Sequence, residues 1–94
     1  MLKELFEKYN IQETDLEQMA VFMSQMGDMA TASRQFAYSG DKIYLVEDDI
    51  ANSDIIAQCL LRAERHGRNF EELKYLGIER CIEKITRRVE KGEI

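Results

Sequence analysis

Apolar residues recur at steps of three and four along almost the whole chain, the spacing that gathers side chains on one side of an α-helix. Leu2, Leu5 and Phe6 define a short amphipathic helix from Met1 to about Tyr9, followed by a connection around Asn10 to Glu13. Thr14 then has Glu17 three residues on, the spacing of a capping box, and Asp15 suits the positive end of the helix dipole. The helix that starts there carries Leu16, Met19, Met23, Met26, Ala30, Ser33 and Ala37 as its expected packing stripe and ends near Ser39, before Gly40. Val21, Phe22, Met29 and Phe36 lie partly off that stripe, so this helix is apolar on more than one side and is expected to be enclosed or to face a second subunit. A third helix is expected from about Lys42 to His66, with Ile43, Val46, Ile50, Ala57, Leu60 and Leu61 as core, stopped by Gly67. Asn69 and Glu72 repeat the N-cap spacing and open a fourth helix to about Lys91, with Phe70, Leu73, Leu76, Ile78, Cys81, Ile82, Ile85 and Val89 as its apolar set.

The prediction is an all-α, antiparallel helical bundle of one short and three long helices. It forms a single domain over 1–94, with residues 1–13 as N-terminal helix and connection and 14–91 as core helices. Composition strengthens it. There is no Pro, only 5 Gly, and 45% of the 94 residues are hydrophobic, which favours long uninterrupted helices over a turn-rich β fold. A chain this short buries a modest core alone, so self-association is expected to complete it.

Charge and cysteines narrow the function classes. The formal net charge is -5, which disfavours sequence-independent binding to a nucleic-acid polymer. A small phosphorylated ligand stays compatible, because a divalent cation inverts the local sign. Cys59 and Cys81 lack metal-type spacing and read as small buried apolar residues in a reducing compartment. The single histidine, His66, is expected to cap carbonyls at its helix end, and no zinc site is expected. The first ten residues lack the apolar core of a signal peptide and no apolar run approaches the ~18 residues of a membrane span. A soluble, cytoplasmic protein without a membrane partner is expected.

Two clusters carry the candidate chemistry. Gln25-Met26-Gly27-Asp28 and Asp49-Ile50-Ala51-Asn52 each hold two oxygen-bearing side chains three residues apart on consecutive helices. If the helices pack antiparallel, the four groups can converge on a hard-cation site of the kind helical bundles build, whose natural companion is a phosphate-bearing ligand. By themselves, polar residues three apart are more often a solvated face. On the fourth helix, Arg80, Lys84 and Arg87 step by four and three into a basic stripe suited to phosphate. The same residues also complement the dipole and pair with Glu79 and Glu83, which is the simpler reading.

From about Leu16 to the C-terminus the order of these features resembles the MazG-like, all-α nucleoside triphosphate pyrophosphohydrolases. Ser24-Gln25-Met26-Gly27-Asp28-Met29 stands where that family carries Glu-Glu-x-x-Glu, and Asp48-Asp49-Ile50-Ala51-Asn52 stands where it carries Glu-x-x-Asp. Leu61 to Gly67, Phe70-Glu71-Glu72-Leu73 and the basic tail from Lys84 to Gly92 are similar to its later helices. The resemblance implies a homodimer or homotetramer with Mg²⁺ (or Mn²⁺) held near Gln25, Asp28, Asp49 and Asn52. Asp28 and Asp49 would be the catalytic carboxylates, and Arg80, Lys84 and Arg87 would contact phosphate. The implied reaction splits a (d)NTP between its α- and β-phosphates into (d)NMP and pyrophosphate. The departures are chemical: Gln25 and Asn52 are amides, Ser24 replaces a Glu, and Asp28 and Asp49 are one methylene shorter than Glu. An amide oxygen can ligate Mg²⁺ but brings no charge and cannot act as a general base. The expectation is therefore a weak pyrophosphohydrolase, with a catalytically degenerate nucleotide-binding or protein-interaction dimer as the alternative.

Overall fold

In the computed structural model, which describes all 94 residues, the chain forms four helices and no strand: α1 (Leu2–Lys8), α2 (Asp15–Ser39), α3 (Ile43–Arg65) and α4 (Phe70–Glu90). The ends fall where local chemistry places them. Thr14 Oγ1 accepts a hydrogen bond from the Glu17 N–H at 3.1 Å, and Asn69 Oδ1 accepts one from the Glu72 N–H at 3.1 Å. Each satisfies one of the amides that a first helical turn leaves without an intrahelical partner. Gly40 closes α2 at φ 69, a left-handed conformation that a residue lacking Cβ adopts without strain.

The short turn after Gly40 folds α3 back antiparallel on α2, and this hairpin is the backbone of the molecule. Its seam on α2 is Gln18, Phe22, Gln25, Met29, Ala32 and Phe36, all buried or half-buried. The facing row on α3 is Tyr44, Asp48, Ala51, Ile55 and Gln58. Both rows alternate steps of four and three, the spacing of a left-handed two-helix packing. Ala32 and Ala51 are 2% and 5% exposed, and with only a methyl each they let the helices approach closely. Gln18, 1% exposed, sets the register: its Nε2 donates to the Gln58 backbone oxygen at 3.2 Å.

α1 rests on α3 through a polar clamp. The Glu64 carboxylate accepts from the N-terminal amine at 2.9 Å, the Leu2 N–H at 3.3 Å and the Lys3 N–H at 3.1 Å. A carboxylate at a helix N-terminus satisfies unpaired amides and meets the positive end of the dipole. α4, by contrast, leaves the hairpin: only Phe70 in it is even half-buried. The molecule is accordingly open, with a radius of gyration of 16.8 Å, against roughly 12 Å for a compact chain of this length. Only 5 of its 94 residues are buried. No helix is long and apolar enough to cross a membrane.

Several packing expectations are corrected. The stripe assigned to the core of α2 faces outward: Leu16 is 80% and Met23 is 66% exposed, and Met19 and Met26 are exposed too. The residues set beside that stripe, Phe22, Met29 and Phe36, are the ones that pack. On α3, Ile43, Val46, Ile50 and Ala57 are exposed, whereas Leu61 is buried and Leu60 half-buried as expected. The apolar set of α4, apart from Phe70, is open to solvent, and Cys59 and Cys81 are both exposed free thiols. The His66 side chain caps nothing; its Nε2 lies 3.3 Å from Asp15 Oδ2 and ties the end of α3 to the start of α2.

Candidate functional site

The hairpin brings the two polar clusters to a common height. With Gln18 against Gln58, each step along α2 is matched by one backward step on α3. Gln25 then lies level with Ala51, and Asp28 level with Asp48. All four candidate ligands fall within about one helical turn, roughly 6 Å along the axis.

Height is shared; direction is not. Gln25 sits in the seam, half-buried, with its Oε1 enclosed and without a hydrogen-bond partner. Asp28, Asp49 and Asn52 are all exposed. Successive residues turn by about 100°, so Asp28 is rotated out of the seam ahead of Met29, while Asp49 and Asn52 are rotated out of it after Asp48 and Ala51. Two antiparallel helices in contact are related by a local two-fold axis perpendicular to both. A residue preceding a seam position on one helix therefore faces the opposite side from one following a seam position on the other. Asp28 looks out on one side of the hairpin; Asp49 and Asn52 look out on the other.

That arrangement bears directly on the cation the resemblance implies. Mg²⁺ needs several oxygens in near-octahedral array, usually with more than one carboxylate. The chain has no group of three or more His, Cys, Asp or Glu side chains close enough to hold a metal ion. Within one chain, the seam amide of Gln25 is the single enclosed oxygen donor among the four, and it carries no charge. The donor set of a single chain does not fit a Mg²⁺ cage. Asp48, half-buried in the seam, is the carboxylate placed nearest the level of Gln25.

The basic stripe lies on a different element. Arg87 pairs with Glu83 at 3.6 Å, one turn away on the same helix, whereas Arg80 and Lys84 make no ion pair. Since α4 projects from the hairpin, the stripe and the two polar clusters occupy separate parts of the chain.

A groove not anticipated from the sequence runs between the second half of α3 and the start of α4, with a volume of about 690 Å³. Ile55, Ile56, Phe70 and Leu73 supply its apolar floor, and Arg62, His66, Arg68 and Lys74 stand around it. Lys74 is held by Glu71 at 2.7 Å, which raises its pKa, and His66 is engaged by Asp15; Arg62 and Arg68 have no ion-pair partner. In a chain of net charge -5, this is a local reversal of sign. Its signal in the sequence was the crowding of basic residues around Gly67, where one helix ends and the next begins. Cys59, an exposed residue, also lines the groove, and partial burial of its thiol pushes the pKa up.

Comparison with protein-family models, with curated proteins and with solved structures returns no match for this chain.

Proposed function

We propose that the chain is a MazG-like nucleotide protein, an all-α scaffold of the pyrophosphohydrolase type that binds nucleoside triphosphate and hydrolyses it weakly to monophosphate and pyrophosphate. The observation that carries this reading is the antiparallel α2–α3 hairpin, which sets Gln25 and Asp28 level with Asp49 and Asn52 at mid-length. Spacing and order of the clusters, taken with their resemblance to that family, supply the rest of the support. The weakness follows from the side chains. Two amides replace carboxylates, and Asp28 and Asp49 face opposite sides of the hairpin, so no chain-internal base stands ready for an attacking water. Misplacement by about 1 Å at a reacting centre already lowers a rate about a hundredfold.

The outward rotation of Asp28, Asp49 and Asn52 specifically favours a second reading, a degenerate relative whose bundle serves only to associate with protein. Purified chain incubated with a panel of NTPs and dNTPs, with Mg²⁺ or Mn²⁺, separates the two. The first reading expects slow pyrophosphate release and a raised melting temperature with nucleotide. Neither turnover nor stabilisation across the panel would leave only the second. The reversion Gln25→Glu with Asn52→Asp should increase metal-dependent turnover if the clusters form the site.

A further inference from the structure

α4 carries an unused helical seam. Tyr75, Ile78, Ile82, Ile85 and Val89 alternate steps of three and four over two heptads and are 59%, 48%, 61%, 50% and 53% exposed. A row of five large apolar side chains left open to water is the kind of patch that marks an interaction surface. Nothing in the same chain covers them, because α4 turns away from the hairpin after Phe70.

The charges beside the seam say what the partner is and which way it runs. With Tyr75, Ile82 and Val89 at a positions and Ile78 and Ile85 at d positions, one edge of the seam carries Lys74, Cys81 and Arg88. The other carries Glu72, Glu79 and Thr86. In a parallel pair of identical helices, each edge meets the opposite edge of its neighbour. Lys74, paired with Glu71 of its own helix at 2.7 Å, then also lies beside Glu79 of the second copy, twice by symmetry, and Cys81 meets Thr86. In an antiparallel pair each edge meets itself, which sets base against base or acid against acid and forms no opposite-charge pair in any register. The second copy of this chain is thus a self-complementary occupant in one orientation only.

We infer that α4 is an assembly helix: it pairs in parallel with α4 of another copy through the seam from Tyr75 to Val89, holding the hairpins of both copies at the same end. The inference goes beyond the dimerisation implied by resemblance, because it assigns the helix, the residues and the direction, and it is independent of whether nucleotide binds. Arg80, Lys84 and Arg87 lie on the far side of α4 from the seam, so pairing leaves the basic stripe open.

The test uses the full chain. Light scattering should return a mass at least twice the 11.0 kDa of one chain, and Ile82→Asp should return one chain while leaving the hairpin folded by circular dichroism. Direction is read by disulfides. In a Cys59→Ser, Cys81→Ser background, Ile78→Cys and Val89→Cys, roughly 16 Å apart along the helix, should each cross-link two copies. Lys74→Glu should weaken association about tenfold, and adding Glu79→Lys should restore it. A single-chain mass for the unmodified protein, an assembly indifferent to Ile82→Asp, or cross-linking at only one of the two positions would overturn the proposal.

Discussion

Replacing Gln18 by Met should stabilise the protein, although it deletes the hydrogen bond that sets the hairpin register. Gln18 is 1% exposed; its Nε2 is bonded to Gln58, but its Oε1 is enclosed without a partner. Losing the Nε2 bond costs about 1 kcal/mol, whereas removing a buried unsatisfied acceptor returns about 1–3 kcal/mol. The Gln58 carbonyl stays within its own helix ladder, so no new orphan is created. Met matches Gln in length and helix propensity and buries apolar atoms in place of polar ones. The net expectation is a gain of up to about 2 kcal/mol, seen as a rise of up to roughly 8–16 °C in melting temperature for a domain of this size. Thermal and urea unfolding, followed by circular dichroism, would measure it. A loss of about 1 kcal/mol or more would show that Oε1 is satisfied by water, or that the register bond is worth far more than an ordinary one.

Other consequences follow from the same geometry. Leu61→Ala, at the largest fully buried apolar side chain, should cost about 2–3 kcal/mol, the low end for a core leucine because so thin a core can relax around the gap; chemical denaturation tests it. Asn69→Ala removes the cap of a helix that packing scarcely supports, and should cost about 1 kcal/mol of α4 stability, visible as fraying of residues 70–73 in amide exchange. Glu64 reports acid sensitivity of α1. Hydrogen bonds from the N-terminal amine, then from Lys3, hold its carboxyl below the ordinary value of 4.5, so its contribution is present above that pH and is lost as pH falls through the depressed value. Amides of α1 should therefore lose protection on acidification below pH 4.5, and Glu64→Gln should remove that dependence.

Helix ends were legible in the sequence because each is set by a few adjacent groups. Thr14, Gly40, Gly67 and Asn69 mark boundaries that the structure reproduces within one residue. The packing face of α2 was not legible, for a physical reason. Two rows on that helix have equally good spacing, and the row richer in Leu and Met is the outward one. The seam uses Gln18 and Gln25 beside Phe22, Met29 and Phe36, and its closeness comes from Ala32 and Ala51, residues that a count of bulky apolar groups undervalues. The candidate site shows the same division. Spacing along each helix, and the shared height of the clusters, follow from sequence plus an antiparallel turn. The side to which Asp28, Asp49 and Asn52 point depends on how each helix is rotated about its axis, which only packing decides. Four residues of the exposed seam of α4, Ile78, Ile82, Ile85 and Val89, belong to the apolar set legible in the sequence, and Tyr75 does not. That the seam stays uncovered within the chain emerged only from the departure of α4 after Phe70.

The proposed nucleotide binding is read from the melting temperature with and without a triphosphate. With millimolar Mg²⁺ and a nucleoside triphosphate at about a hundred times its Kd, stabilisation of about 2.7 kcal/mol, a rise on the order of 10 °C, is expected, with pyrophosphate released slowly. An unchanged melting temperature for every NTP and dNTP, with no pyrophosphate formed, would contradict it.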